Sequence, residues 1–162
     1  MNSWIRFVYI EKEKIFRNNM EVYGKLCEDA LNEFVSNRYG VKQNKFKYAT
    51  FDWHPANENN QVELKTRSCL YDAFETITAN DVKINEAKRL YGAIDSYFLY
   101  WFSNGDLYEW KYDPSIKLPR EVNGDATRYG HIKERPHIPR HLLTKIGNFP
   151  QPIKPVSKCL LL

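Results

Sequence analysis

The sequence has 162 residues, 43% of them hydrophobic and 15% aromatic, so it can bury a core as one domain and is not intrinsically disordered. No apolar run approaches the ~20 residues of a membrane-spanning helix, so we expect no membrane partner. The net charge is +4, and residues 120–162 hold eight Lys or Arg against three Asp or Glu, which indicates either a polyanionic partner such as nucleic acid or a solvated basic segment.

Residues 20–38 are predicted to form the first helix. Gly40 would end it as a left-handed cap. Glu28 borders its apolar stripe and should face a sheet, Asp29 points away, and Gly24 would let helix and sheet approach closely. The stripe consists of apolar residues at helical spacing: Met20, Tyr23, Cys27, Ala30, Leu31, Phe34 and Val35.

A strand hairpin is predicted to follow the helix. Residues 45–53 form its first strand, with alternate residues on one face: Phe46, Tyr48, Thr50 and Asp52. Residues 54–60 have the composition of a turn. Residues 61–67 form the return strand, in which Glu63 and Lys65 share one face.

The register of this hairpin decides whether two acidic side chains meet. If the turn is centred between Asn57 and Glu58, Asp52 lies opposite Glu63 on the same face of the sheet. A register shift of one residue would place them on opposite faces, so the prediction depends on the turn.

A second helix and a second hairpin are predicted downstream. Asn80 or Asp81 caps a helix over residues 82–91 that stops at Gly92. Residues 97–102 and 107–112 form strands around an Asn-Gly pair that favours a type I′ turn. The first of these strands is apolar throughout and should be central.

The C-terminal third is predicted to be less regular. Three prolines predict a loop over residues 113–137, and a short helix should begin at Pro139. The expected fold class is α/β in the mixed α+β sense, with a central mixed sheet flanked by helices. We expect a single domain over residues 1–146, comprising a core at 20–112 and a basic segment at 113–146, followed by a proline-containing tail at 147–162.

The acidic pair and the lysine beside it suit metal-dependent phosphodiester hydrolysis. Mg²⁺ prefers hard oxygen ligands, and in such sites one or two carboxylates are joined by waters and substrate phosphate. Asp52 and Glu63 supply those carboxylates, and the backbone carbonyl of residue 64 is a candidate third ligand. Lys65 would orient the attacking water or stabilise the developing negative charge.

The arrangement resembles the PD-(D/E)xK nuclease superfamily, including its small viral and phage members. The resemblance covers roughly residues 20–112 and implies a restriction-endonuclease-like core, Mg²⁺ or Mn²⁺ as cofactor and DNA rather than RNA as substrate. The motif Asp maps onto Asp52 and the ExK residues onto Glu63 and Lys65. A helical Glu that completes the metal site in that family maps onto Glu28. Phe51 stands where the family name has proline.

The same resemblance and the basic residues suggest contacts to nucleic acid. Members of the family often carry a lysine early in the second helix, which maps onto Lys83. The other candidates for phosphate contact are Arg67, Lys88, Arg135, Arg140 and His137. A homodimer would fit related nucleases that cut both strands.

Each site residue also has a simpler interpretation. Asp52 at a strand end can initiate a turn through its own backbone, Glu63 and Lys65 can belong to a solvated strand face, and Glu28 can be surface charge. Two rival functions follow: a non-catalytic nucleic-acid-binding protein on a similar fold, and a structural or interaction protein.

The cysteines and the N-terminus bear on cellular location. The three cysteines, Cys27, Cys69 and Cys159, lack CxxC and zinc-ligand spacing and favour a reducing compartment. No signal-peptide cleavage site follows the short apolar stretch at the N-terminus. We therefore expect an intracellular protein, in the cytoplasm or nucleus, that is not secreted.

Overall fold

The computed structural model describes residues 3–46, 48–122 and 134–154, with side chains from residue 18 onward. The first half contains α1 (Ser3–Tyr39), β1 (Val41–Gln43), β2 (Trp53–Pro55), β3 (Asn60–Thr66), β4 (Thr76–Thr78) and α2 (Asp81–Leu90). The second half contains β5 (Asp95–Trp101), β6 (Asp106–Lys111), β7 (Arg120–Val122), β8 (Glu134–Pro139) and β9 (Thr144–Asn148).

A six-stranded sheet in the order β1-β2-β3-β5-β6-β9 forms the centre of the fold, and β4-β8-β7 form a smaller sheet. Within the described residues β3 and β5 are parallel and the other strand pairs are antiparallel. The connection between β3 and β5 contains α2, as a parallel pair requires a crossover. The prediction of a mixed α+β protein with a mixed central sheet is confirmed.

Helix α1 is longer than predicted. It begins at Ser3 instead of residue 20 and ends at Tyr39, one residue past the predicted end, with Gly40 at φ +62° as the expected cap. Of the predicted apolar stripe, Met20 and Ala30 are exposed and Phe34 is half-buried. The residues buried against one face of the large sheet are spaced by four: Tyr23, Cys27, Leu31, Val35 and Tyr39. Across the described ranges, neither helix is long and apolar enough to cross a lipid bilayer.

Both faces of the central strands are covered. Val62, Leu64 and Leu99 pack in the cluster beneath α1, whereas Phe98 and Tyr100 belong to a second cluster that includes Ala87 of α2. Alternate residues of β3 and β5 therefore face two different cores, as is usual for strands in parallel pairing. This arrangement buries the face of β3 that carries Glu63.

The first hairpin is only partly as predicted. The strand expected over residues 45–53 is wrong, because β1 ends at Gln43 and a loop leads to β2. Phe46 and Tyr48 are exposed to 82% and 92% in that loop. The predicted register is confirmed, since Trp53 pairs with Val62 and the next residues outward are Asp52 and Glu63.

Gly40 holds the turn of this hairpin. Its carbonyl accepts hydrogen bonds from three backbone N–H groups, those of Ala56, Asn57 and Glu58, at 3.2, 2.8 and 3.0 Å. Asn60 Nδ2 also donates to the Tyr39 carbonyl at 2.7 Å. The end of α1 therefore fixes the turn, and the turn fixes the register of Asp52 and Glu63.

Replacing Gly40 with Ala is expected to lower the free energy of unfolding by at least about 2 kcal/mol, because a side chain at positive φ is strained. The added Cβ would also lie 2.5 Å from Glu58 Cγ. Urea denaturation measures the loss. Gly24→Ala is the matched control: its Cβ meets no described residue within 4 Å, and in a helix it should stabilise by up to about 1 kcal/mol. Equal effects of the two substitutions would contradict the role of Gly40.

The second helix and hairpin are largely as predicted, with one correction in the turn. Asn80 caps α2, accepting from the Val82 N–H at 2.8 Å, and β5 is central. The turn between β5 and β6 is not type I′, because Gly105 has φ +90° while Asn104 does not have positive φ. The Gly105 N–H donates to the Phe102 carbonyl at 3.0 Å and closes the turn.

The C-terminal predictions need the largest corrections. Residues 134–137 belong to β8 instead of a loop, and β8 is followed by a 3₁₀ turn (Arg140–Leu142) and β9 in place of the predicted helix. Prolines are uncommon within strands, and Pro136 and Pro139 hid this strand from the pattern. Strand β9 continues through Asn148, past the expected start of the tail at 147. Residues 123–133 and 155–162 lie outside the described residues.

Candidate active site

Glu63 is the centre of the candidate site. Its side chain is 2% exposed, with Lys65 Nζ 2.9 Å from Oε1 and Lys83 Nζ 2.7 Å from Oε2. The two lysines come from β3 and from the first turn of α2. The interpretation of Glu63 as part of a solvated strand face is therefore wrong, because β3 is covered on both sides.

The contact with Lys83 leaves part of the carboxylate unsatisfied. Among the described residues, Glu63 Oε2 is buried and accepts no hydrogen bond of good geometry, although Lys83 Nζ is within ion-pair distance. We take the pair as an electrostatic contact whose angle is poor for hydrogen bonding. A buried carboxylate oxygen in this state retains a lone pair for a further ligand.

Asp52 lies where the pairing between β2 and β3 ends. In the described part of the sheet these strands pair at one position, Trp53 with Val62. The next outward-facing N–H of β3, that of Leu64, donates to Asp52 Oδ2 at 2.8 Å. The Asp52 carboxylate thus accepts the hydrogen bond that a backbone carbonyl of β2 would accept if the strand pairing continued. Its bond reaches β3 and not its own turn, so a purely local Asx role does not describe it.

The pKa of Asp52 is raised to about 7. Burial is the main cause, and the negative charges of Glu63 and Glu28 add to it, whereas the Leu64 N–H and Lys83 oppose it. Desolvation and nearby like charge both disfavour the ionised carboxylate. A cation bound at this position would reverse that balance.

Glu28 faces the same site from α1. Burial raises its pKa, against the effects of Lys25 and Gln43, and the charge of Glu63 raises it further. Asp29 behaves differently: Gln43 Nε2 donates to it at 2.9 Å, and this bond holds its pKa below the usual value. Glu28 lines the same cleft as Asp52, whereas Asp29 is exposed and does not line it.

An open cleft of about 300 Å³ is lined by Asp52, Glu28 and Lys65, and buried Glu63 lies behind Lys65. One wall consists of α1 residues about one helical turn apart. The opposite wall consists of Asp52 and the end of β3 from Leu64 to Thr66. The residues of the α1 wall are Met20, Tyr23, Gly24 and Glu28. Gly24 faces this open space, so the expected close approach of helix and sheet at Gly24 is wrong. Lys65 lines the cleft and also touches buried Glu63.

Comparison with known proteins identifies no relative. The sequence matches no protein-family model, no curated protein and no solved structure. The interpretation of the site therefore depends on its own geometry.

The donor atoms suit a hard divalent cation. Asp52 and Glu63 offer carboxylate oxygens, Glu63 Oε2 is buried without a hydrogen bond from any residue that the structure describes, and Glu28 supplies a third carboxylate nearby. Among the described residues, no three His, Cys, Asp or Glu side chains converge closely enough to form a complete metal-binding group. Mg²⁺ usually keeps several waters and binds through one or two carboxylates, so the residues present fit it.

The predicted nucleic-acid contacts are scattered. Lys83 faces Glu63 and not solvent, and Lys88 is exposed on another side of α2. Arg67 lines the cleft, but its guanidinium also donates to the Thr78 carbonyl at 2.9 Å and lies 5.6 Å from the centre of the Tyr100 ring. Arg67 is thus partly engaged within the fold.

The C-terminal candidates lie in the smaller sheet or beside it. Arg135 is half-buried on β8. Arg140 donates to the Asp72 carbonyl at 3.1 Å and packs on Tyr71. His137 is buried with Nδ1 2.9 Å from Thr76 Oγ1, so a phosphate contact by its ring does not fit its position.

Two features of the site had no clear signal in the sequence. The first is the direct contact of Lys83 with Glu63, because the distance between α2 and β3 depends on the crossover. The second is the loop before Asp52, where alternating residues suggested a strand but the side chains are exposed. The interleaving of lysine with aromatic residues at 45–48 was the available signal for a surface loop.

Proposed function

We propose that the protein is a Mg²⁺-dependent nuclease that hydrolyses DNA phosphodiesters at a site of the PD-(D/E)xK type, on a restriction-endonuclease-like core. The observation that carries this proposal is the buried Glu63 carboxylate held by Lys65 and Lys83 beside the half-buried Asp52. A solvent-exposed cleft reaches Asp52 and Lys65 directly.

The residues have separable roles in this proposal. Asp52 and Glu63 hold the metal, and Glu28 contributes from α1. Bound Mg²⁺ supplies Lewis-acid stabilisation of phosphate oxygens and a water of lowered pKa. The Leu64 N–H orients the Asp52 carboxylate through its 2.8 Å hydrogen bond.

The two lysines differ in access to substrate. The Lys65 side chain is 39% exposed and that of Lys83 15% exposed. Lys65 can therefore donate to the attacking water or to a phosphoryl oxygen as negative charge develops. Lys83 stays behind Glu63 and holds that carboxylate in place through its 2.7 Å contact, which makes it a positioning residue.

One observation favours a second candidate, a non-catalytic nucleic-acid-binding protein. Both oxygens of Glu63 already have a lysine partner within 3 Å, and a buried ion cluster of this kind can be structural. In that case the cleft would bind a phosphodiester strand through Lys65 and Arg67 without cutting it.

Cleavage of labelled single-stranded, duplex and branched DNA in Mg²⁺ or Mn²⁺ tests the proposal. We expect metal-dependent cutting that EDTA abolishes. Lys65→Ala should lower the rate by at least about a hundredfold, the usual effect of removing one group that stabilises transition-state charge. A thermal unfolding curve checks that the variant is folded.

Lys145→Ala is the matched control, because Lys145 is also a half-exposed lysine paired with an acid, Asp106 at 2.7 Å, but lies on β9 away from the cleft. It should cut at the wild-type rate. DNA binding by the wild type without cutting of any substrate would favour the binding protein over the nuclease.

A further inference from the structure

The loop between β1 and β2 is tied closed at its base. The Asn44 N–H donates to the Asp52 carbonyl at 2.7 Å, and Asn44 Nδ2 donates to the Phe51 carbonyl at 3.3 Å. Phe51 is buried and contacts the ring of Phe98 at 5.7 Å between centroids. Both ends of the loop are therefore fixed to the candidate site.

The tip of this loop presents two aromatic rings to solvent. Phe46 is 82% exposed and Tyr48 is 92% exposed. Single exposed apolar residues are ordinary on a protein surface. Two almost fully exposed aromatic rings in one loop are less common, because burying each ring would contribute about 1.5 kcal/mol or more to stability.

The charge around the rings has one sign. The sequence from residue 42 to 51 contains three lysines and no acidic residue. Lys42 and Lys45 are exposed, and neither has an ion-pair partner within the part of the chain that the structure describes. Aromatic rings beside unpaired cations are the combination that binds single-stranded nucleic acid.

We infer that Phe46 and Tyr48 stack on unpaired bases of a single strand, with Lys42 and Lys45 on its phosphates, while the strand enters the cleft at Asp52. This inference rests on the proposed function and gives it a substrate class: nucleic acid with a single-stranded segment. Bases paired in a duplex do not offer their faces to such rings.

The reach of the loop matches this role. Tyr48 is four residues from Asp52, so their Cα atoms are at most about 14 Å apart. Phosphates in a stacked strand advance about 3.4 Å each. The stacked bases therefore lie within about four nucleotides of the phosphate in the cleft.

Fluorescence anisotropy with a labelled single-stranded DNA oligonucleotide, an RNA of the same sequence and the DNA duplex tests the inference. EDTA is present so that nothing is cut. The double variant Phe46→Ala/Tyr48→Ala should bind the single strand about tenfold or more weakly, from the loss of base stacking, with duplex affinity unchanged. Replacing both residues by Trp should preserve binding. The DNA and RNA arms show which strand the loop prefers.

Phe74→Ala is the matched control, since Phe74 is 64% exposed and directly follows the short 3₁₀ turn Tyr71–Ala73. It should leave affinity unchanged. Lys45→Ala should reduce the dependence of log affinity on log salt concentration by about 0.7, the value for one phosphate contact to a single strand.

Three results would overturn the inference: unchanged single-strand affinity in the double variant, an equal loss for duplex, or no single-strand binding by the wild type. Binding to vesicles that contain anionic lipid is measured for the same variants. If the double variant loses vesicle binding while its oligonucleotide affinity is intact, the inference is overturned as well. Because binding is measured without metal, these results are independent of whether the protein cuts. If the wild type cleaves DNA but the double variant binds the single strand as well as the wild type, the proposed nuclease function stands and the proposed role of the loop is wrong.

Discussion

Replacing Asp52 with Asn is expected to make the metal-free protein more stable at pH 8. The carboxylate of Asp52 is half-buried near two other acids, and its pKa in the folded protein is about 7, against about 3.9 in an unfolded chain. Ionisation in the folded state therefore costs up to about 4 kcal/mol. Asn has the same shape, can still accept from the Leu64 N–H and carries no charge.

The sign of the pH dependence follows from this difference. Below about pH 4 the carboxyl is neutral in both states, and its contribution to stability is fully present. Between pH 4 and 7 the folded state keeps the proton that the unfolded state loses, so wild-type stability falls as pH rises. Asp52→Asn should match the wild type near pH 4 and exceed it by about 2–4 kcal/mol at pH 8.

Urea denaturation in EDTA at pH 4, 6 and 8 measures the effect. Asp106→Asn is the control of opposite sign, because Lys145 and Asn148 hold the pKa of Asp106 below its usual value; removing that charge should not stabilise the protein. Mg²⁺ should then stabilise the wild type more than Asp52→Asn. A variant less stable than the wild type at pH 8 would contradict the burial of an ionised Asp52.

Replacing Glu63 with Ala is expected to lower the free energy of unfolding by about 3–5 kcal/mol, the usual cost of removing one partner from a buried ion cluster. Two ammonium groups, those of Lys65 and Lys83, lie within 3 Å of this carboxylate. Without it they would repel each other in a site of low polarity. Losing the carboxylate destabilises the charged Lys83 more than Lys65, since Lys83 is the less exposed of the two.

The loss is measured by urea denaturation at pH 7. Glu86→Ala is the control, because Glu86 pairs with Arg89 at 2.7 Å on the surface of α2 and should cost at most about 1 kcal/mol. Glu63→Leu with Lys83→Met should recover much of the stability while remaining inactive, because apolar replacement of a buried pair is often neutral. A Glu63→Ala variant as stable as the wild type would show that the lysines leave the site freely.

This result also bears on the choice of variant for activity. Loss of cleavage in Glu63→Ala has two explanations, a missing ligand or a damaged fold. Lys65→Ala avoids this because the Lys65 side chain is 39% exposed and its loss leaves Glu63 paired with Lys83.

The sequence predicted the parts of the fold that depend on local pattern. The apolar stripe from Tyr23 to Val35, the Asn80 cap and the alternation around Glu63 each reflect contacts within one element. The register of Asp52 and Glu63 followed from placing the centre of the turn between Asn57 and Glu58, because the centre of a hairpin turn fixes its register; the pairing of Trp53 with Val62 confirms that placement.

Other parts depend on contacts between distant segments. β9 pairs with β6 from more than thirty residues away, and β8 carries two prolines, so neither had a local signature. The contact of Lys83 with Glu63 required knowing how α2 packs on the sheet. The loop at Phe46 and Tyr48 was misassigned because alternation of aromatic and basic residues also describes a half-buried strand.

The hydrogen bonds of Asn44 at the base of the β1–β2 loop make the position of Asp52 independent of the length and sequence of the loop tip. Because both ends of the loop are fixed at Asn44 and Asp52, residues can be inserted or exchanged at its tip without displacing Asp52. Doubling the length of a flexible loop costs only about 0.6 kcal/mol. The tip is therefore open to variation and to engineering by loop exchange, while the acidic pair and its lysines stay under the constraints of the core.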